Sequence, residues 1–161
     1  MTDDIPGLRR ILKANRVIAV VGLSADWFRP SHFAAKYMIE HGYTVVPVNP
    51  QHGRILGRAC HASLSEAAWQ AGVQIEIVDV FRRTEDVFPV AQEAIAIGAR
   101  VLWQQLGVRN LEAARAAEAA GLEAVVDRCV KIEHARLFGG LNWAGVNTRV
   151  ISAKRPHWLP Y

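Results

Sequence analysis

Apolar residues along the chain fall into two alternating kinds of run. Val17–Val21 (VIAVV), Thr44–Val48 (TVVPV), Ile75–Val80 (IEIVDV), Arg100–Trp103 (RVLW) and Glu123–Val126 (EAVV) are short and rich in β-branched residues. Runs of this kind form strands covered on both faces. The segments between them have helical spacing. Ser31–His41 carries Phe33, Ala34, Tyr37 and Met38 on one face and stops at Gly42. Val87–Ile97 repeats the pattern and stops at Gly98; Asn110 is the N-cap of Leu111–Ala120, which stops at Gly121. Pro89 leaves the start of its helix open by a few residues, since proline fits the first turn and not the interior. A further amphipathic helix spans about Pro6–Ala14.

Strands alternating with helices predict βαβ units and a parallel sheet. The expected fold is α/β: a three-layer, Rossmann-like, doubly wound sheet of about five parallel strands, with strand order 3-2-1-4-5. Residues 1–136 make a single domain. Residues 137–161, LFGGLNWAGVNTRVISAKRPHWLPY, break the rhythm and are expected to form an irregular C-terminal arm.

Composition narrows the class. Apolar residues make up 51% of the 161 positions, yet no apolar run approaches the ~20 residues that cross a bilayer. The opening MTDDIPGLRR has acids where a secretion signal has bases, so a cytoplasmic location is expected. Cys60 and Cys129 stand far apart and outside any CxxC or Cys/His spacing, which fits a reduced compartment and no structural zinc. The net charge of +4 is unevenly spread: residues 1–127 hold 13 basic and 14 acidic side chains, whereas residues 128–161 hold six basic and one acidic. The basic character belongs to the C-terminal segment, and general nucleic-acid binding loses support.

In an open parallel sheet, ligands sit beyond the carboxyl ends of the strands, where the strand order reverses. That rule selects the loops GLSADWFRPS (Gly22–Ser31), NPQHGR (Asn49–Arg54), FRRT (Phe81–Thr84) and QQLGVR (Gln104–Arg109). Arginines, amides and hydroxyls dominate them and Asp26 is their one carboxylate, a rim suited to an anion. In the first loop Gly22 permits close backbone approach, Ser24 and Ser31 offer hydroxyls, and Arg29 offers a bidentate phosphate contact. Pro30 sets the turn into a helix whose free N–H groups near Ser31–Phe33 favour an anion. A plain βα loop with a helix cap is the competing reading of the same residues. An NAD site places an acid at the end of the second strand; here Asn49-Pro50 is followed by Gln51, His52 and Arg54. A basic residue there suits an extra ribose phosphate, as in NADP or coenzyme A (CoA).

Five motifs in order carry a family resemblance: VVGLS (Val20–Ser24) with RPS (Arg29–Ser31), HGYTVVPVNP (His41–Pro50), VDVFRR (Val78–Arg83), WQQLGV (Trp103–Val108) and DRCVKIEH (Asp127–His134). Over about residues 13–135 the chain resembles the small CoA-binding-domain proteins, which are similar to the CoA-binding domain of the succinyl-CoA synthetase α subunit. The resemblance implies a Rossmann-like fold and CoA, or an acyl-CoA, as the ligand. It implies that the loop containing Gly22, Leu23, Ser24, Arg29, Pro30 and Ser31 holds the pyrophosphate. Val48, Asn49 and Pro50 would line the adenosine, with Arg54 or His52 near the 3′-phosphate. Phe81 and Arg82 would form the facing wall, and Trp103 and Gln104 the floor toward the pantetheine arm.

No reaction centre is evident: HExxH, GxSxG and GxxxxGK[ST] are absent, and the six histidines are scattered. Asp79, inside the third strand, is expected to hold a structural hydrogen bond to nearby backbone. Cys129 would form a mixed disulfide with the CoA thiol only with a depressed pKa and an accessible position. The expected function is therefore noncatalytic binding of CoA or an acyl-CoA. The alternatives are an NADP-dependent enzyme and an interaction module whose basic tail docks on a larger protein partner or nucleic acid. No membrane association is expected.

Overall fold

The computed structural model describes residues 1–139. Helix α1 (Ile5–Ala14) leads into β1 (Val17–Val21), α2 (Pro30–Glu40) and β2 (Thr44–Val48). A small hairpin, β3 (Arg54–Ile55) and β4 (Arg58–Ala59), and helix α3 (Leu64–Gln70) follow. The chain continues through β5 (Ile77–Val80), α4 (Val87–Ala96), β6 (Val101–Gln104), α5 (Leu111–Ala119), β7 (Glu123–Val125) and α6 (Val130–Phe138). Among the described residues no helix is long and apolar enough to cross a membrane.

The main sheet has five parallel strands in the order β2-β1-β5-β6-β7. Counting these five strands along the chain, the order is 2-1-3-4-5, which corrects the expected 3-2-1-4-5. The third strand returns past β2 and pairs with the free edge of β1, with Ile18 beside Ile77 and Val21 beside Val80. Proline explains why β2 stays at the edge. Pro47 has no N–H for a ladder, so a position with both neighbours paired would lose a bond. Its carbonyl instead accepts from the His61 amide at 3.0 Å, on the outer side, and the Asn49 amide returns a bond to His61 at 2.8 Å.

Handedness then sets the layers. The step from β1 to β2 runs one way across the sheet and every later step runs the other way, so right-handed crossovers place α2 on one face and α3, α4 and α5 on the opposite face. Strand residues alternate accordingly. Ile18, Val20, Val45, Ile77, Val101, Trp103 and Val125 pack with α1, α2 and α6. Ala19, Val21, Val46, Val78, Val80 and Leu102 pack with α3, α4 and α5.

Two helices escape the hydrophobic-pattern reading. Ser63 caps α3 by accepting from the Glu66 amide at 3.1 Å, and the Glu66 carboxylate accepts from the Ala62 amide at 2.8 Å. This Ser-x-x-Glu signal is a helix start in the sequence. Helix α6 contains most of DRCVKIEH, whose residues dock it. Glu133 is fully buried and accepts from Arg128 at 3.0 Å and from the Arg136 Nε at 3.1 Å. Leu137, buried in the core, and Phe138 complete this helix, so the expected arm does not begin at 137. Its remainder, from residue 140 onward, lies outside the described residues.

The chain is tightly packed at the end of β1. Gly22 has φ +85°, its amide donates to the Val48 carbonyl of β2 at 2.8 Å, and an added Cβ would lie 2.4 Å from the Phe81 carbonyl oxygen. Both the left-handed backbone and a rigid backbone neighbour demand glycine. Gly22→Ala is expected to cost about 2–4 kcal/mol, from the left-handed conformation and the forced separation of β1 from β5 together. Chemical denaturation checks this; a loss below about 1 kcal/mol contradicts it.

Candidate functional site

The strands β1 and β5 lie side by side, but the helices that follow them lie on opposite faces. Their diverging loops open a crevice at the carboxyl edge of the sheet. A cleft of about 550 Å³ lies here, lined by Gly22, Ser24, Asp26, Arg29, Pro30, Ser31, Asn49, Gln51, His52 and Phe81. The three predicted loops after β1, β2 and β5 therefore meet in one place.

The first loop is held by its own hydroxyls. Ser31 Oγ accepts from the Ser24 amide at 3.0 Å, and Ser24 Oγ accepts from the Asp26 amide at 3.1 Å. Each hydroxyl keeps its own proton to donate. Asn49 Nδ2 donates to the Leu23 carbonyl at 2.9 Å, tying the loops after β1 and β2 together. Arg29 is the N-cap of α2 and supplies no side-chain cap. The His32 and Phe33 amides both donate to the Arg29 carbonyl, at 3.0 and 3.2 Å. Of the three amides expected to face an anion, only that of Ser31 lacks a backbone partner among the described residues, which narrows the anion site. The Arg29 guanidinium is exposed, 4.0 Å from Asp26, and lies over the Phe28 ring. So weakly engaged a cation can turn to an anionic ligand at little cost.

Not every predicted residue faces the cleft. Leu23 and Val48 are buried in the core, and Pro50 is exposed outside the cleft lining. Arg54 donates to the Gly57 carbonyl at 2.7 Å within the hairpin turn, away from the cleft lining, whereas His52 lines it. Arg82 lies beside Gly22, with its Cδ 3.3 Å from where a Cβ of Gly22 would be. Trp103 is fully buried and donates to the Arg128 carbonyl at 2.6 Å. Gln104 is also fully buried; its amide exchanges bonds with the backbone of Asn110 at 2.8 and 2.7 Å, bracing the loop after β6. These two residues support the floor from below. Trp27 and Phe28, on the same loop, are exposed and meet edge to face.

Beyond Pro30 and Phe81 a second cavity of about 310 Å³ opens, lined also by Gln105, Leu106, Val108, Cys129 and Ile132. Its wall joins the loop after β6 to the start of α6. Those residues are distant in sequence, and no spacing rule joins them. Gln105 donates to Asp79 Oδ1 at 2.5 Å, so the partner of Asp79 is a side chain and not the expected backbone. Asp79 Oδ2 has no hydrogen-bond partner among the described residues. Burial pushes the Asp79 carboxyl up to about 7, partly opposed by the bond from Gln105. Burial likewise pushes the Cys129 thiol up, against the depressed pKa that a mixed disulfide requires. Among the described residues no three His, Cys, Asp or Glu side chains group as metal ligands.

The family model described as CoA binding domain matches residues 16–135. The chain is 39% identical over 128 residues to the uncharacterized protein YneT of Bacillus subtilis, covering 80% of this chain and 92% of that one. A solved structure of a hypothetical protein from Pyrococcus horikoshii OT3 aligns with TM-score 0.80 and 38% identity, over 85% of this chain and 94% of that one. Another from Thermus thermophilus aligns with TM-score 0.77 and 36% identity, over 84% and 100%. The protein belongs to the CoA binding domain family.

Asp79 generates a pH prediction. Its carboxyl holds a proton up to about 7 in the folded chain, whereas a free aspartate ionises near 3.8. Between these values the unfolded state has released the proton and the folded state has not. Stability therefore falls as pH rises through this window and levels off above it, by of the order of 4 kcal/mol. Asp79→Asn removes the ionisation, so its melting temperature relative to the parent should rise from about pH 4 to about pH 8. A difference that is constant with pH contradicts the assignment.

Proposed function

We propose that the protein binds CoA without transforming it, with the nucleotide in the cleft between the β1 and β5 loops. The observation that carries this reading is the junction of two unlike cavities. A polar cleft holding Arg29, His52, two serine hydroxyls and the Ser31 amide shares its Pro30 and Phe81 walls with an apolar cavity. CoA has the same division, a charged nucleotide at one end and a pantetheine arm at the other.

The residues fit the ligand in physical terms. The uncapped start of α2 offers an amide and the positive end of a helix dipole to the pyrophosphate. The Ser24 and Ser31 hydroxyls and the Arg29 guanidinium complete that set. His52, beyond the end of β2, takes the role toward the 3′-phosphate in preference to Arg54, whose guanidinium is occupied by the hairpin. The arm then passes between Pro30 and Phe81. CoA itself supplies a thiol that can carry an acyl group; the protein binds and orients it.

Titration calorimetry on nucleotide-free protein, with CoA, dephospho-CoA and NADP, tests the reading. Arg29→Ala should weaken CoA by about 1.5–3 kcal/mol, the worth of a hydrogen bond to a charged group. His52→Ala should cost CoA more than it costs dephospho-CoA, while Arg54→Ala should not separate the two. Unchanged affinity in Arg29→Ala removes the guanidinium from the site, and tighter binding of NADP than of CoA overturns the ligand.

A further inference from the structure

The apolar cavity beside the cleft is richer in hydrocarbon than a free thiol requires. Leu106 and Val108 come from the loop after β6, Ile132 from the first turn of α6, and Phe81 from the end of β5. The pantetheine arm enters between Pro30 and Phe81, and its thiol ends among these side chains. The cavity measures about 310 Å³, room for roughly ten water-sized groups at ~30 Å³ each, shared between the end of the arm and whatever its thiol carries. Its shared walls with the cleft, Pro30 and Phe81, put it in line with the arm. Its polar features are Gln105, committed to Asp79, and the Cys129 thiol, which burial keeps protonated and apolar in character. A charged or strongly hydrated group placed here would lose its water without gaining partners.

Building on the CoA reading above, we propose that the ligand is an acyl thioester of CoA with a short hydrocarbon chain, and that the chain lies in the cavity between Leu106, Val108 and Ile132. Affinity then depends on chain length, because each methylene buried there leaves water. The gain expected is about fourfold per methylene until the cavity is full. Chains that outrun the space left beside the arm should gain nothing further. A dicarboxylic acyl group such as succinyl, carrying its charge into the same space, should bind more weakly than butyryl.

The test is a calorimetric series on the full chain: CoA, acetyl-CoA, butyryl-CoA, hexanoyl-CoA and succinyl-CoA. Leu106→Trp is measured alongside, since position 106 is partly exposed and accepts a larger side chain that fills the mouth of the cavity. The expected result is affinity rising from acetyl to butyryl, succinyl weaker than butyryl, and a flattened series in Leu106→Trp. CoA binding with a flat or falling series overturns the acyl assignment and leaves the CoA reading standing. A rising series that Leu106→Trp leaves unaltered overturns the cavity as its location. No binding of CoA or of any thioester overturns both readings together.

Discussion

At the carboxyl end of β1 there is no room for a β-carbon. Gly22 bonds to the last residue of β2 on one side and is pressed against the Phe81 carbonyl of β5 on the other. Glycine permits that approach, and the β1–β5 ladder holds the two strands adjacent at the place where strand order reverses. The helices after β1 and β5 leave in opposite directions from that point. The crevice between their loops is a consequence of this divergence. A glycine that looks like a ligand contact in the sequence is, first, the residue that lets the crevice exist.

The same economy runs through the rest of the site. Ser24 and Ser31 shape their loop by accepting backbone amides, and each retains a proton for a ligand. Asn49 fixes two loops together and also faces the cleft. Trp103, Gln104, Arg128 and Glu133 do not face the cleft. They lock the loop after β6 and the start of α6, and those two segments form the wall of the apolar cavity. The family motifs thus divide into residues that line the crevice and residues that hold its walls.

Much of this is legible in the sequence. The five main strands and four of the helices follow from hydrophobic period and glycine stops, and the loops after β1, β2 and β5 meet as the edge-of-sheet rule expects. Hydrophobic period is silent on strand order, but Pro47 carries the signal: a proline inside a strand marks an edge, and that excludes a position between two partners. Ser63 and Glu66 announce α3 in the same way. Within the WQQLGV motif the residues that reach the cavity lie two positions beyond the expected floor. Alternate strand residues face opposite layers, so Trp103 and Gln104 point into the two cores and Gln105 and Leu106 reach the cavity. The apolar cavity has no sequence signature, because Phe81, Leu106 and Ile132 meet only after the crossovers between them are in place.

The central claim is that the ligand's nucleotide lies in the crevice beside Gly22. Backbone amide chemical shifts, followed as CoA is added to the labelled protein, test it residue by residue. The largest changes are expected at Ser24, Ser31, His52 and Phe81, with Arg54 and the far ends of the helices unmoved. Changes centred instead on Thr2, Arg109 and Asp127, which line a separate cavity, would contradict it, as would a spectrum that CoA leaves unaltered.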